Sequence, residues 1–451
     1  MRYCLLHLGC QMNKSDAERV RAVIEALGYE PTEDETSADL LGIVACSVRQ
    51  RAIDKAYARI RTWNSWKANR NLLTFVTGCM LPSDREKFLT LFDLVFDITE
   101  IPHFPEMIRH YGVVTPVGVR DVIPVESVQD ASAGFWRIKP QYSSRFEAYV
   151  PIQNGCDKFC TFCAVPYTRG REISRPSEEI LQEVSSLVQR GYTSITLLGQ
   201  NVNSYGLDKK GHELTFAGLL RAIGELGRAS GREFWMYFTS PHPRDMTEQV
   251  IRIIAEYACL AKQIHLPLQS GDDRILIRMN RNYMVDQYRE TVGMIRSIIP
   301  TATLFTDIIV GFSGETEAEF ENTRKAMQEF HYNMAYVAMY SPRPGAASYR
   351  WPDDVPHEEK NRRLHVLSGE LAATSGAHNR TMIGREYRVL VEGPDRKQGY
   401  LSAKTEGKII VRFPSADHSL IGQFTTVKVT AAAQLSVEGE MVSALTPVLA
   451  E

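Results

Sequence analysis

Residues 147–163 read EAYVPIQNGCDKFCTFC, a short apolar run followed directly by three cysteines spaced C-x3-C-x2-C. The run EAYVPI has the length and composition of a buried strand. Five more such runs follow at helix-length intervals: SITLLG (194–199), EFWMYF (233–238), QIHLPL (263–268), TLFTDIIV (303–310) and MAYVAMY (334–340). Six strands alternating with helices predict an α/β fold with parallel strands and helices outside, which is three-quarters of a (β/α)8 barrel.

The three cysteines of this stretch, Cys156, Cys160 and Cys163, follow the first barrel strand. Barrels of this kind place their active sites at the carboxyl ends of the strands. Structural zinc takes four protein ligands, and the loop offers no further Cys or His nearby. Three thiolates instead suit an iron–sulfur cluster with one iron left open. Structural zinc and inert cysteines are the alternatives.

The composition of the whole chain limits the class of protein. The 451 residues are 44% hydrophobic, which predicts two or three domains with large cores. Lys and Arg number 52 against 54 Asp and Glu, so the net charge of −2 gives no general attraction to nucleic acid or to a membrane. No apolar run approaches the roughly 18 to 20 residues of a membrane span. We therefore expect a cytoplasmic protein, in which cysteines serve metal binding or redox chemistry rather than disulfides.

The amino-terminal part predicts a βαβ arrangement. The runs RYCLLHL (2–8), LLGIV (40–44) and LLTFV (72–76) are typical of buried strands with helices between them. Ser15 followed by Glu18 has the pattern of a capping box, and predicts the start of a helix there.

One cysteine lies just beyond each of these three predicted strands: Cys10, Cys46 and Cys79. Loops that leave the carboxyl ends of parallel strands converge on one edge of the sheet. The sequence therefore predicts a second three-thiolate site, with three ordinary buried cysteines as the alternative. Cys4, inside a strand, and Cys259, near the end of a helix, are predicted core residues.

The remaining parts of the chain lack the alternation of apolar strands and helix-length segments. Residues from about 111 to 144 are rich in Pro, Gly, Ser and Val, which predicts a linker with some extended structure. The tail contains EYRVLVEG (386–393), KIIVRF (408–413) and FTTVKVTAA (424–432), separated by turn residues. These alternating runs predict a small antiparallel barrel.

The stretch NGCDKFCTFCAVPYTRGREISRP (154–176) is similar to the signature of the radical S-adenosylmethionine methylthiotransferase family, and LHLGCQMNKSDAER (6–19) resembles the amino-terminal cluster segment of that family. The segments that resemble its barrel motifs, in order, are LLGQNVNSYG (197–206), FTSPHPRD (238–245), HLPLQSGDDRIL (265–276), DIIVGFSGETEAEF (307–320) and YSPRPGAASY (340–349). The tail resembles a TRAM domain, a small β-barrel associated with RNA binding. LGQNVNSYG and VPYTRG favour the MiaB-type branch, although Asn154 stands where an acidic residue is common in that branch.

This resemblance implies a division of the chain into domains. They are an amino-terminal methylthiotransferase domain (1–112), a linker (113–144), a radical S-adenosylmethionine core with a partial (β/α)6 barrel (145–375), and a TRAM-like RNA-binding domain (379–446). It also implies two [4Fe-4S] clusters, one on each group of three cysteines, and S-adenosylmethionine as the cofactor of the barrel cluster. A 5′-deoxyadenosyl radical would open C2 of an adenine ring to a methylthio group.

Supporting site residues are expected around the barrel cluster. Phe162 resembles the family position near adenine, with simple packing as its alternative. Gln200 and Asn201 follow the second strand, and Gln269 and Ser270 follow the fourth, where they would contact the cofactor. Arg169, Arg171 and Arg175 are expected to bind cofactor carboxylate or RNA phosphate, with solvated surface positions as the alternative.

RNA contacts are expected from local positive charge. Arg51, Lys55 and Arg59 recur at helical spacing, with Trp63 and Trp66 close behind for stacking. Arg385, Arg388 and Lys404 of the tail are further candidates. A solvated basic face is the alternative for each of these sets.

The predicted function is methylthio transfer to C2 of N6-isopentenyladenosine at position 37 of tRNA. The expected partners are tRNA and an electron donor of the flavodoxin or ferredoxin type, with the chain acting as a monomer. Two alternatives are a methylthiotransferase acting on threonylcarbamoyladenosine in tRNA or on an aspartate of a ribosomal protein. A third, of another class, is a non-catalytic iron–sulfur protein that binds RNA.

Overall fold

The computed structural model describes residues 1–111 and 131–442 and divides into two compact units. Unit 1 comprises Met1–Ser144, Tyr149–Arg175 and Arg343–Tyr349. Unit 2 comprises Arg145–Ala148, Pro176–Pro342 and Arg350–Glu451. Within the described ranges, no helix combines the length and the apolar character that a membrane crossing requires.

Unit 1 contains a five-stranded parallel sheet in the order β2-β1-β3-β4-β5. Its elements are β1 (Arg2–His7), α1 (Gln11–Ala26), β2 (Glu30–Pro31), β3 (Leu40–Cys46), α2 (Gln50–Trp66), β4 (Leu73–Cys79), α3 (Pro82–Phe88), β5 (Leu94–Val95), α4 (Phe104–His110) and α5 (Ala131–Arg137). The three predicted strands are confirmed. The two-residue strands β2 and β5 are too short to produce a pattern in the sequence.

The central strands β3 and β4 are buried along their whole length, as parallel strands covered on both faces should be. On β3, Leu40 and Val44 pack into the core beneath α1, while Leu41 and Ile43 pack into the core beneath α2. Because successive side chains of a strand point to opposite faces, one apolar run builds both cores.

One expectation for this unit was wrong, and one helix was not predicted. Helix α1 begins at Gln11 with Cys10 as its N-cap, four residues before the predicted capping box. The hydroxyl of Ser15 instead donates to the carbonyl of Tyr149 at 3.2 Å, and Glu18 accepts from Ser143. In the predicted linker, residues 112–130 lie outside the described residues, and the described remainder contains helix α5 at Ala131–Arg137, which was not predicted. Phe135 and Trp136 bury their rings in the core beneath α1, which explains why this stretch is ordered.

The next part of the chain carries the cysteine loop. Its elements are β6 (Glu147–Pro151), β7 (Gln153–Asn154), α6 (Val165–Arg169) and β8 (Ile173–Ser174). Strands β7 and β8 pair in antiparallel fashion at the two ends of the loop, which brings Asn154 opposite Ile173.

Unit 2 contains the remaining predicted parallel strands. Its elements are α7 (Ser177–Gln189), β9 (Ser194–Leu198), α8 (Phe216–Ser230), β10 (Trp235–Phe238), α9 (Glu248–Glu256), β11 (Gln263–His265), α10 (Asp273–Arg278), α11 (Val285–Ile298), β12 (Thr303–Val310), α12 (Glu317–Phe330), β13 (Met334–Met339) and α13 (His357–Arg380). The sheet orders are β10-β9-β6 and β11-β12-β13. Strand β9 pairs with β10 in parallel, and β12 pairs in parallel with both β11 and β13. The backbone of Met236 bonds Cys259 at 2.7 Å and Ala261 at 3.0 Å, which continues the first sheet toward β11. The strands therefore follow each other in chain order, and the predicted partial barrel is confirmed.

The tail forms a closed barrel in the order β14-β15-β16-β18-β17. Its strands are β14 (Glu386–Pro394), β15 (Tyr400–Thr405), β16 (Ile410–Pro414), β17 (Phe424–Ala432) and β18 (Ser436–Met441). The small predicted barrel is confirmed, although β15 and β18 were not predicted. Its antiparallel character was wrong for one pairing, because β16 and β18 run parallel.

This closed barrel packs against the parallel strands of unit 2. The hydroxyl of Thr303, the first residue of β12, donates to the carbonyl of Gly407 at 2.7 Å. The rings of Trp235, at the start of β10, and Phe424 meet edge to face at 4.7 Å between centroids. The closed barrel therefore covers the amino-terminal ends of the strands and leaves their carboxyl ends, where cofactors bind in such folds, uncovered by these contacts.

Candidate functional site

Unit 1 brings Cys10, Cys46 and Cys79 to the carboxyl edge of its sheet. Cys10 is the N-cap of α1, and Cys46 and Cys79 face each other as register partners at the ends of β3 and β4. The side chains of Cys46 and Cys79 are hydrogen-bonded to each other. The prediction that all three cysteines lie just beyond their strands was wrong for these two, which are the last strand residues, but the convergence of the three is observed.

Asn13 joins the three cysteines. Its Oδ1 lies 3.3 Å from the Sγ of Cys10, and its Nδ2 lies 3.8 Å from the Sγ of Cys79 while donating to the carbonyl of Ala45 at 2.8 Å. Beside it, a Cβ at Gly9 would come within 2.8 Å of the Cβ of Cys46. The turn that carries Cys10 therefore lies directly against Cys46, and any side chain at Gly9 would push it away.

Arg169 donates to the third cysteine from the other side. Its Nε lies 2.8 Å from the Sγ of Cys79, its Nη1 donates to Asn154 Oδ1 at 3.1 Å, and its Nη2 pairs with the carboxylate of Asp16. The arginine side chain is only 4% exposed and that of Asp16 is fully buried. The structure therefore gives Arg169 three partners within unit 1 in place of the cofactor carboxylate or RNA phosphate that we expected.

The ionisation of the thiols favours metal binding. The pKa of Cys46 falls to about 6, chiefly because the thiol of Cys79 donates a hydrogen bond to it. The pKa of Cys79 is raised, because it is the donor in that bond and because it is buried. The hydrogen bond therefore favours the thiolate form of Cys46, and metal binding would release the proton that Cys79 holds in that bond.

The second group of cysteines lies in the loop between β7 and β8. The backbone N–H of Cys156 donates to Gly170 at 3.2 Å, and that of Cys163 donates to Cys160 at 3.0 Å. Burial raises the pKa of Cys156 to about 11, and the charge of Cys160 adds to this rise. The loop therefore closes on itself with all three cysteines in it, and half-buried Phe162 lies in the turn between Cys160 and Cys163.

The donor chemistry of both groups fits an iron–sulfur cluster. In residues 1–111 and 131–442, no three Cys, His, Asp or Glu side chains are arranged to hold a metal ion. A cluster differs from one ion because each thiolate binds a different iron, so its sulfurs need not point at one centre. Thiols are also the ligands that select such clusters over Mg²⁺ or Ca²⁺.

The predicted cofactor residues of unit 2 lie beyond the ends of their strands. The Oε1 of Gln200 and both amide atoms of Asn201, which follow β9, are buried without a hydrogen-bond partner in the described parts of the chain. Unpaired buried amides cost free energy, and such groups call for an explanation such as a ligand that pairs with them. Gln269 has a φ of +70° and bonds β12 through its backbone. Ser270 is already engaged, since its hydroxyl lies 3.3 Å from that of Thr323.

The predicted RNA-binding residues fall into two classes. Arg51 and Lys55 are exposed on α2, and Arg385 is exposed before β14. The others form ion pairs within the chain: Arg59 with Glu35 at 3.6 Å, Arg388 with Glu233 at 2.7 Å, and Lys404 with Glu392 at 2.8 Å. Trp63, on the inner face of α2, is completely buried, so its predicted stacking role was wrong.

Several residues near the cysteines were missed by the sequence reasoning. Asn13 had a signal, because it follows Cys10 by three residues, the spacing at which a side chain returns to the N-cap. Asp16 and Arg343 had none, because their partners are remote in sequence. Arg343 donates to Gln50 Oε1 at 2.6 Å, at the start of α2. Gln153, next to the cysteine loop, is fully buried with both amide atoms unpaired among the described residues.

Three family models match the chain: Uncharacterized protein family UPF0004 over residues 2–97, the Radical SAM superfamily over 150–327 and the TRAM domain over 380–442. These ranges confirm the predicted fold class. The predicted domain limits enclose them and stay predictions.

Curated relatives match the chain over nearly its whole length. A tRNA-2-methylthio-N(6)-dimethylallyladenosine synthase of Dictyoglomus thermophilum is 38% identical, over 98% of this chain and 98% of its own. A protein of the same name from Geobacter metallireducens is 39% identical, over 96% of each chain. Among solved structures, the cobalamin-dependent S-adenosylmethionine radical enzyme OxsB matches with a TM-score of 0.52 at 12% identity, over 82% of this chain and 56% of its own. At that identity the likeness concerns the fold alone.

Proposed function

This chain belongs to the family of tRNA-2-methylthio-N6-dimethylallyladenosine synthases, and from that premise we propose that it transfers a methylthio group to C2 of N6-isopentenyladenosine at position 37 of tRNA. It is a transferase of the radical S-adenosylmethionine superfamily with a TRAM domain. The observation that carries the proposal is the convergence of Cys10, Cys46 and Cys79 in addition to the loop cysteines. A radical enzyme that only activates S-adenosylmethionine needs one such group, whereas sulfur transfer calls for a second.

The two groups of cysteines have separate proposed roles. Cys156, Cys160 and Cys163 hold the [4Fe-4S] cluster that binds S-adenosylmethionine, and Cys10, Cys46 and Cys79 hold a second [4Fe-4S] cluster. Bound there, the cofactors supply reductive cleavage of the sulfonium and the sulfur for transfer. The chain itself orients them: the Oε1 of Gln200 and both amide atoms of Asn201, unpaired among the described residues, supply hydrogen bonds for polar cofactor groups, and Phe162 packs beside adenine.

RNA is held by phosphate contacts in this proposal. Arg51, Lys55 and Arg385 are exposed and supply positive charge, while the target base is splayed out of its loop, as single-stranded RNA recognition usually requires. We further propose a flavodoxin or ferredoxin type electron donor, a monomeric protein and a cytoplasmic location.

The substrate is tested by direct competition. The anaerobically reconstituted protein, with reductant and S-adenosylmethionine, is offered isopentenylated tRNA, threonylcarbamoylated tRNA and the ribosomal protein. We expect 5′-deoxyadenosine to form and the product mass to rise by one methylthio group on the first substrate alone. Transfer to either other substrate would reassign the branch. Absence of 5′-deoxyadenosine with both clusters loaded would favour the non-catalytic RNA-binding alternative.

A further inference from the structure

Arg169 holds together three separate parts of unit 1. Its guanidinium reaches Asp16 on α1, Asn154 on β7 and Cys79 at the end of β4, and these residues lie far apart in the sequence. Arg169 itself closes α6, six residues after Cys163. A single side chain therefore links the segment that follows the cysteine loop to a cysteine of the other group.

The burial of this cation needs an explanation. An ionised group that is removed from water is strongly destabilised unless charged and polar partners replace its hydration. Asp16 supplies one negative charge, and its second carboxylate oxygen has no hydrogen-bond partner among the described residues. The Nε of Arg169 points at sulfur rather than at oxygen, at 2.8 Å from Cys79. The arrangement suits a thiolate, which would supply a second negative partner for the guanidinium.

We infer that Arg169 is a positioning residue for the cluster proposed on Cys10, Cys46 and Cys79, donating an N–H to the Cys79 sulfur and raising the reduction potential of that cluster. This inference rests on the proposed function, since it requires a cluster on these cysteines. Hydrogen bonds to ligand sulfurs and nearby charge are among the factors that set cluster potentials. Reduction adds negative charge, so a fixed cation and an N–H donor stabilise the reduced form more than the oxidised form.

The geometry requires arginine rather than any cation. The planar guanidinium presents its donors in a fixed fork, and three of them here meet three acceptors at once. A lysine ammonium could keep the charge beside Asp16 but lacks this fork. Asn13 Nδ2 is a second, more distant donor toward the same sulfur, at 3.8 Å, so Arg169 supplies the main hydrogen bond.

The test isolates the cluster in the full-length chain. In a background with Cys156, Cys160 and Cys163 all replaced by Ala, the reconstituted protein is expected to keep half the iron of the parent. In that background we compare Arg169→Lys with the double variant Asp16→Asn/Arg169→Gln, which removes both buried charges together and so avoids leaving Asp16 as an unpaired buried anion. Arg171→Gln is the matched control, because Arg171 is 73% exposed and pairs with Asp157 instead.

Iron content, the electron paramagnetic resonance spectrum and the midpoint potential are measured for each variant. We expect a more negative potential and an altered spectrum in both Arg169 variants, larger in the double variant, with the Arg171→Gln control unchanged. The inference would be overturned if both Arg169 variants kept their iron and had the same midpoint potential as the three-alanine background. The proposed function would then still stand. Loss of all iron in the three-alanine background itself would instead overturn the proposed second cluster. If the double variant fails to fold, the potential of Arg169→Lys decides alone.

Discussion

Gly155 and Gly170 both adopt left-handed backbone conformations beside the cysteine loop, with φ values of +79° and +74°. They differ in the space around them. A Cβ at Gly155 would lie 1.9 Å from the carbonyl oxygen of Arg171, whereas a Cβ at Gly170 would meet nothing within 4 Å. Gly155 is therefore required both for its positive φ and for the close approach of two backbone segments, whereas Gly170 is required for its positive φ alone.

This difference gives a matched pair of variants. Gly170→Ala should cost only the strain of its positive-φ conformation, about 1 to 3 kcal/mol. Gly155→Ala must in addition displace the backbone around Cys156, so we expect a lower melting temperature and loss of about half the bound iron after reconstitution. Equal iron content in the two variants would show that the backbone contact does not hold the loop.

Among individual site residues, the sequence predicts those that are identified by spacing over a few neighbouring positions. The spacing of Cys156, Cys160 and Cys163 placed them correctly in one loop, because three cysteines in eight residues cannot separate far. Arg169 was assigned the wrong partners, because its pairing with Asp16 crosses 153 positions and has no local pattern. From the sequence alone, a buried arginine in a polar stretch cannot be distinguished from an exposed arginine.

Among the elements, α2 combines two faces with different tasks. Ile53, Ala56 and Ile60 are buried against the sheet, while Arg51 and Lys55 point to solvent one turn apart. Arg59, the third member of the predicted basic face, is held by Glu35. The exposed charges of Arg51 and Lys55 therefore lie in the first turns of the helix, near the point where Arg343 bonds Gln50.

Charge reversal tests this face of the helix. Arg51→Glu/Lys55→Glu should weaken tRNA binding and lower the magnitude of its log–log salt slope by about 1.4 to 1.8, if each residue contacts one phosphate. Cleavage of S-adenosylmethionine without tRNA should persist. The control is Arg221→Glu/Lys325→Glu, the same change of charge on exposed helical positions of unit 2. An unchanged salt slope of tRNA binding in the α2 variant, or an equal change in the control variant, would show that Arg51 and Lys55 are only solvated and do not contact RNA.

The success of prediction for elements depended on their length and periodicity. All six parallel strands of the partial barrel were found, because each is an apolar run between helix-length stretches. Strands β2 and β5 have two residues each, which is too few to show alternation. Helix α5 was missed because Phe135 and Trp136 are ordered by the core they enter, not by local propensity. Trp63 was misplaced for the same reason.

Gly407 lies in the contact between the closed barrel and the parallel strands of unit 2. A Cβ there would come within 2.5 Å of the Cγ2 of Thr303, whose hydroxyl also donates to the Gly407 carbonyl. Threonine is stiff at χ1, so it cannot easily turn aside. Gly393 of β14 provides the comparison, because a Cβ there would meet nothing within 4 Å.

We expect Gly407→Ala to destabilise the protein by about 1 to 3 kcal/mol, the usual cost of overpacking. Limited proteolysis should then release the closed barrel faster than in Gly393→Ala, since its attachment to β12 is loosened. The two variants are compared by thermal unfolding and by the rate of appearance of the released fragment. Identical rates of fragment release would mean that Trp235 and the other contacts hold the closed barrel in place without the contact between Gly407 and Thr303.

The assembly of unit 1 from three separate stretches sets an order on biosynthesis. Its last stretch, Arg343–Tyr349, donates from the backbone of Ser348 to Thr161 in the cysteine loop at 2.9 Å and from Arg343 to Gln50 beside Cys46. A chain leaves the ribosome amino terminus first. All six cysteines of the two groups are therefore translated well before the stretch that completes their surroundings, which is synthesised only when residue 349 has been added. Nascent chains thus carry their full set of thiols in an unfinished unit until residue 349 has been added, and the proposed clusters can be loaded into a finished unit only after that point.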